Sequence, residues 1–211
     1  MFTSTTSSVI ATSYLSEDDA MKGAEAQYSQ MEAELQSYLD NYESTHDYDE
    51  YHFDLDEIEH DPYVLISILS AFNEGEFTLD EVQGLLQTLF DRQYILTEDV
   101  EVEVRYRTET RTDSEGNEYE VEVPYNYYIC TVTLENFDLS HLPVYIMNED
   151  QLSMYSAYMS TLGNREDLFP GSGYVDKYIE NPPDDYTVNA AYLTDEKFAT
   201  LIAEAEKYLG Y

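Results

Sequence analysis

The feature that most constrains this chain is its charge. It carries 45 Asp and Glu against 9 Lys and Arg, a net charge of −36 over 211 residues. That density is close to the composition at which chains stop folding, because self-repulsion opposes compaction. Apolar residues make up 43% of the chain, but 22 residues are Tyr. A core therefore needs Tyr rings, with their hydroxyls reaching polar partners at its edge. The same charge excludes partners. Phosphate backbones are held by Lys and Arg, so no nucleic acid is expected, and an anionic membrane surface is disfavoured. The longest apolar run, Tyr63 to Phe72, is about half of a membrane span, so no membrane insertion is expected within this chain.

The single Cys, Cys130, excludes an internal disulfide and a zinc site built from several cysteines. In YYICTVTL it lies mid-strand with no base or cation beside it, and reads as a buried small apolar residue. No GxSxG, P-loop, GxGxxG or HEXXH pattern occurs. No catalytic residue and no cofactor is expected.

Residues 1–15, MFTSTTSSVIATSYL, lack a basic start and an apolar segment and read as a Ser/Thr-rich spacer. From Ser16 to about Asp40 the seam Met21, Ala24, Tyr28, Met31, Leu35, Tyr38 predicts a helix, with Ser16 and Asp19 as a capping box. Asp61-Pro62 opens a second helix, apolar nearly all round and stopped by Gly75. Thr78 with Glu81 opens a third, striped with Val82, Leu85, Leu86, Leu89 and Phe90. After Arg92 the period falls to 2: Val100, Val102, Val104 and Tyr106 alternate with charge, then Asp113–Asn117 forms a turn. Tyr119, Val121, Val123 and Tyr125 resume the alternation. Beyond Pro124 the apolar parity moves to Tyr128, Cys130, Val132 and Leu134, which predicts a bulge or break. Arg105, Arg107 and Arg111 are placed opposite Glu120 and Glu122 across the hairpin. A fourth helix runs from Asn148 to Leu162 and stops at Gly163. Residues 170–187 have linker chemistry. Thr194 caps a last helix carrying Phe198, Leu201, Ile202, Ala205 and Leu209.

The expected fold is α+β: an acidic domain over 16–169 with helices packed on an antiparallel hairpin or three-stranded meander, and a trailing C-terminal helix. Between Asn41 and His60 lies a charged, Tyr-rich stretch. Its His46, Asp49, His52, Asp54, Asp56 and His60 are candidate metal ligands, although no EF-hand spacing is present. Tyr42, Tyr48, Tyr51 and Tyr63 are candidate interaction anchors, since Tyr is enriched at interfaces. The crowding of carboxylates predicts raised acid pKa values and a melting temperature higher at pH 5.5 than at pH 8.

Two stretches carry a resemblance. Residues 45–169 contain FTLDEVQGLLQTLFDRQY, the strands RYRTET and EYEVEVPY, and the ending TLGNREDLF. They resemble the membrane-proximal region of cell-wall hydrolases carried by conjugative transposons of Gram-positive bacteria. Residues 194–211, TDEKFATLIAEAEKYLGY, look like the opening helix of an NlpC-type cysteine peptidase domain, so 188–211 would begin such a domain. In that family the helix leads into Pro-Tyr-x-Trp-Gly-Gly and the Asp-Cys-Ser-Gly nucleophile, which would be expected only after Tyr211. Cys130 sits in no such pattern and does not inherit the role. The resemblance implies a piece of a larger peptidoglycan-cleaving enzyme: a non-catalytic, extracytoplasmic module, tethered to membrane or wall through an upstream segment. It would space or position the hydrolase, or dock on cell-wall or conjugation-machinery proteins. The alternative from charge alone is an acidic DNA mimic that binds a basic nucleic-acid-binding partner.

Overall fold

The computed structural model describes residues 12–170. Helix α1 spans Asp18–Asp40 and α2 Tyr42–Thr45; strand β1 (Glu50–Leu55) follows. Then come α3 (Pro62–Phe72), α4 (Leu79–Gln93) and two 19-residue strands, β2 (Tyr94–Thr112) and β3 (Glu118–Asn136). A 3-10 turn (Leu139–His141), α5 (Pro143–Ile146), α6 (Glu149–Thr161) and a second 3-10 turn (Leu162–Asn164) complete it. The fold is α+β. The linker over 170–187, apart from Pro170, and the helix expected over 194–209 lie outside the described residues, as do residues 1–11.

The body is built around α3. Asp61 Oδ1 accepts the Tyr63 and Val64 N–H groups, Pro62 occupies the first turn, and every residue from Pro62 to Ala71 is buried. At α4, Thr78 and Glu81 form the capping box read from sequence. Asn148 and Gln151 form another at α6. The seam of α1 holds through Met21, Ala24 and Tyr28, then rotates: Leu39 is buried and Tyr38 is exposed. A helix at 3.6 residues per turn brings position 39, not 38, back under Tyr28. Ser16 does not cap α1, whose N-cap is Glu17. Its buried hydroxyl instead accepts the Phe77 N–H at 2.8 Å, joining the α1 entry to the turn before α4.

The sheet is mixed, in the order β1-β3-β2. The third strand is not a meander return: β1 pairs parallel with β3, Tyr51 beside Cys130 and Leu55 beside Leu134. It lies inside the charged, Tyr-rich stretch between Asn41 and His60, where no strand was expected. Its alternation of Tyr51, Phe53 and Leu55 with Glu50, His52 and Asp54 was the available signal. The parallel pair is possible because α3 and α4 return the chain to the end of the sheet where β1 stops, and β2 then carries it to the far end, from which β3 runs parallel to β1.

No bulge interrupts Pro124. The β2–β3 register is continuous, with Tyr106 opposite Pro124 and Val100 opposite Cys130. The apolar parity changes because the covered face changes. Near the base the even residues Cys130, Val132 and Leu134 are buried. Toward the tip the ribbon loses its helical cover, and Val121, Val123 and Tyr125 on the odd face are half-buried. The arginines also pair differently from expectation. Arg105 lies opposite Tyr125, Arg107 opposite Val123 and Arg111 opposite Tyr119. Their nearest carboxylate partners are on their own strand: Arg105 bonds Glu103, with Glu50 of β1 farther off at 3.8 Å, and Arg107 and Arg111 bond Glu109. Glu120 and Glu122 face Thr110 and Thr108 on the other side.

The segment after α6 latches the body shut. Leu162, Gly163 and Asn164 all have positive φ, and Tyr14 lays its ring against Gly163. Tyr14 N–H donates to the Gly163 carbonyl and its hydroxyl meets Ser67 Oγ at 2.8 Å. The spacer read over 1–15 thus ends inside the core. Arg165 bonds Asp18 at 2.8 Å, and the Tyr63 hydroxyl donates to the Glu166 carbonyl.

Ser70 is the odd residue in α3: its Oγ is buried without a hydrogen-bond partner. An unsatisfied hydroxyl costs on the order of 1 kcal/mol, and Ala is the better helix former. Ser70→Ala is expected to raise the calorimetric melting temperature by the equivalent of about 1 kcal/mol.

Candidate functional site: a buried charge hub and an exposed strand arm

The six candidate metal ligands are scattered by the fold. His46 stacks on Tyr42 at 3.9 Å between ring centroids, with Nδ1 near the Tyr42 carbonyl. Asp49 and Asp56 fasten the two ends of β1: their carboxylates accept the N–H groups of Tyr128 at 2.7 Å and Asn136 at 2.9 Å. His52 bonds Glu50 on the surface, and Asp54 is exposed beside Thr133. Among the described residues, no three His, Cys, Asp or Glu are arranged to hold a metal ion.

His60 is the exception in burial. Its side chain is 3% exposed and both ring nitrogens are used: Nε2 meets Glu25 Oε2 at 2.8 Å and Nδ1 meets Glu32 Oε1 at 2.9 Å. Burial works against the charged ring, but the hydrogen bonds and charges of Glu25 and Glu32 outweigh it and raise the pKa to about 9. The hub extends outward. The Tyr94 hydroxyl donates to Glu32, and Tyr28 stands edge-on to His60 and donates to Gln93 Oε1 at 2.8 Å. Gln93 Nε2 donates to the Glu59 carbonyl and to Asn136 Oδ1. One network therefore ties α1, the α3 entry, the α4 end, the β2 start and the β3 end. An imidazolium with both N–H groups occupied and almost no solvent access has no lone pair for a metal and no path to a substrate. The hub holds the body together.

Of the four candidate anchors, Tyr42 and Tyr63 are fully buried, which corrects their reading as exposed. Tyr42 is edge-on to Tyr38, Tyr51 and Phe53. Tyr63 packs against Phe169. Charge in the flanking sequence hid them: rings in an acidic chain are consumed by its own core. Tyr48 and Tyr51 are half-buried, and the Tyr51 hydroxyl accepts the Tyr48 N–H. Cys130 is buried mid-strand with the Tyr42 hydroxyl 3.5 Å away, a phenol rather than a base.

The surface that sequence reasoning missed is the outer hairpin. Beyond the Val100–Cys130 pair, about a dozen residue pairs continue without helical cover, an arm of roughly 40 Å. Its even face carries Val100, Val102, Val104 and Tyr106, which are 39%, 49%, 60% and 63% exposed. Its odd face carries Glu101, Glu103, Arg105, Arg107, Glu109 and Arg111 on β2, and Arg105 stacks 3.3 Å over the Tyr127 ring. Among the described residues β2 pairs only with β3, and they leave its outer edge open along its length. An exposed apolar row beside an unpaired edge is a surface to which another strand can add. Compared with protein-family models, curated proteins and solved structures, the chain finds no match. No helix among the described residues is long and apolar enough to cross a membrane.

Proposed function

We propose that this chain is a non-catalytic interaction and positioning module of a peptidoglycan hydrolase used in conjugative transfer. It would act outside the cytoplasm, held at the membrane or wall through another segment of a longer protein. The observation that supports this reading is the arm, a two-stranded ribbon presenting an apolar row where a self-contained domain would bury one. The motifs that carry the resemblance coincide with it: RYRTET and EYEVEVPY are its two strands, and TLGNREDLF is the latch that closes the body. The arm would dock on components of the conjugation machinery or the wall, while the hub keeps its base fixed. A DNA mimic would present uniform negative charge. This arm places Arg105, Arg107 and Arg111 among its acids, which favours the interaction module.

Incubation of the chain with purified peptidoglycan tests the non-catalytic claim. Chromatography of the supernatant is expected to show no stem peptides above buffer. Their release would contradict it.

A further inference from the structure

We propose that the arm takes a second copy of this chain, with β2 pairing antiparallel to β2 of the partner subunit in a register centred on Glu103. This rests on the reading of the arm as an interaction surface, not on the peptidoglycan setting.

The argument is one of complementarity. An incoming strand on the free edge of β2 places directly opposed side chains on one face of the sheet. Registers that oppose odd to even residues would set Val against Glu and are rejected. Centring on Glu103 opposes Val100 to Tyr106 of the partner subunit and Val102 to Val104 of the partner subunit. By two-fold symmetry the reverse pairs form as well. All four exposed apolar residues then meet apolar partners. On the other face Asp99 meets Arg107 of the partner subunit, and Glu101 meets Arg105 of the partner subunit, again twice each. The single like-charged contact from 99 to 107 is Glu103 with itself, and each Glu103 carboxylate already accepts from its own Arg105 at 2.8 Å. Neighbouring registers fit less well. Centring on Val104 sets Asp99 against Glu109 and Val100 against Thr108. Centring on Arg105 sets Glu101 against Glu109. Residues 94–112 contain no Pro and the β2–β3 register has no bulge, and the charges that can blunt an edge are here of both signs and are opposed in this register. The result is a continuous six-stranded sheet with β1 at both outer edges. The −36 charge of each chain opposes the approach. The joint lies on the arm, beyond the helical cover, and the repulsion is screened over ~8 Å at physiological salt.

Sedimentation velocity of the full chain at physiological ionic strength, over a series up to high micromolar concentration, reads the outcome. The wild type is expected to move from monomer to dimer. Arg105→Glu sets two acids opposite each other twice in the dimer and is expected to weaken it by about tenfold or more. Glu101→Arg does the same with two cations. The double variant Glu101→Arg/Arg105→Glu restores opposition and is expected to restore the dimer. Val104→Lys, an exposed change that leaves the charged face alone, is expected to give a monomer with an unchanged circular dichroism spectrum. A wild type that stays monomeric throughout overturns the proposal. So does a double variant no more dimeric than either single one. Either result leaves the non-catalytic reading standing, whereas stem-peptide release removes that reading and leaves the dimer untouched.

Discussion

Replacing His60 with Gln is expected to destabilise the protein by about 3 kcal/mol at pH 6 and to abolish most of its alkaline instability. Two consequences of the hub combine here. Removing the imidazolium leaves Glu25 and Glu32, which flank it at 2.8 and 2.9 Å, as partly buried carboxylates without a cation between them. Breaking a buried pair at one partner is the costly case. The pH dependence follows from the direction of the shift. His60 titrates near 6.5 when unfolded and at about 9 when folded. The native state therefore holds the proton more tightly, so the stabilisation is complete below pH 6.5 and is lost as pH rises through 9. A shift of that size corresponds to about 3 kcal/mol. The groups facing the ring are Glu25, Glu32 and Tyr94 around its nitrogens and Tyr28 at its edge. The wild-type melting temperature should be flat from about pH 5 to 6.5 and fall by pH 9.5, whereas the Gln variant should stay level across that interval. A wild type equally stable at pH 6 and pH 9.5 would mean that the ring is neutral in the fold.

This revises the electrostatic expectation from composition. Collective crowding predicts raised acids, yet Asp18, Glu81, Asp113 and Asp167 are all lowered. Hydrogen bonds from Arg165 and Lys22 hold Asp18 at about 2. The Thr78 backbone lowers Glu81, the Asn117 backbone lowers Asp113, and Arg165 lowers Asp167. Their contribution is present above the ordinary carboxylate range and is lost as pH falls through the lowered values. The stability maximum between mild acid and neutrality thus rests on His60 at its alkaline side and on local hydrogen bonds at its acid side.

The second large effect concerns Gly163. Substitution with Ala is expected to cost roughly 2–5 kcal/mol, from a left-handed backbone and from overpacking. Its φ is +58°, and an added Cβ would lie 2.3 Å from the Tyr14 ring. That ring cannot withdraw easily. Its N–H is bonded to the Gly163 carbonyl, its hydroxyl to Ser67, and its face packs 5.4 Å from Tyr158. Urea titration of Gly163→Ala, Tyr14→Ala and the double variant would separate the two causes. In the Tyr14→Ala background the Gly163 change should cost only its backbone share, about 1–2 kcal/mol. Additive losses would place the whole cost in the backbone.

The parts of the fold legible in sequence are those whose signals are local. Asp61-Pro62, Thr78 with Glu81, and the apolar stripes of α3 and α4 name their own elements, because caps and periodicity act within a few residues. The Asp113–Asn117 turn sets the hairpin register in the same way. What escaped depends on distant partners. β1 hides its alternation in an acidic run, and its pairing partner on β3 lies about 80 residues away. The hub joins His60 to Glu25 and Glu32, 35 and 28 residues away, with nothing in their spacing to announce it. Pro124 misled because it reads as a break in a central strand; here it sits opposite Tyr106 in the uncovered part of the arm. The arm's even face was visible as alternation, but alternation alone does not say whether a helix will cover it.

Amide hydrogen exchange along β2 tests most directly the claim that the arm's open edge is built for strand pairing. In dilute solution the β2 amides that point away from β3 should exchange fast, while those bonded to β3 should be protected. At high micromolar concentration the outward amides between Asp99 and Arg107 should slow, with exchange in α1 and α4 unchanged. Outward amides that exchange equally fast at both concentrations would contradict the account.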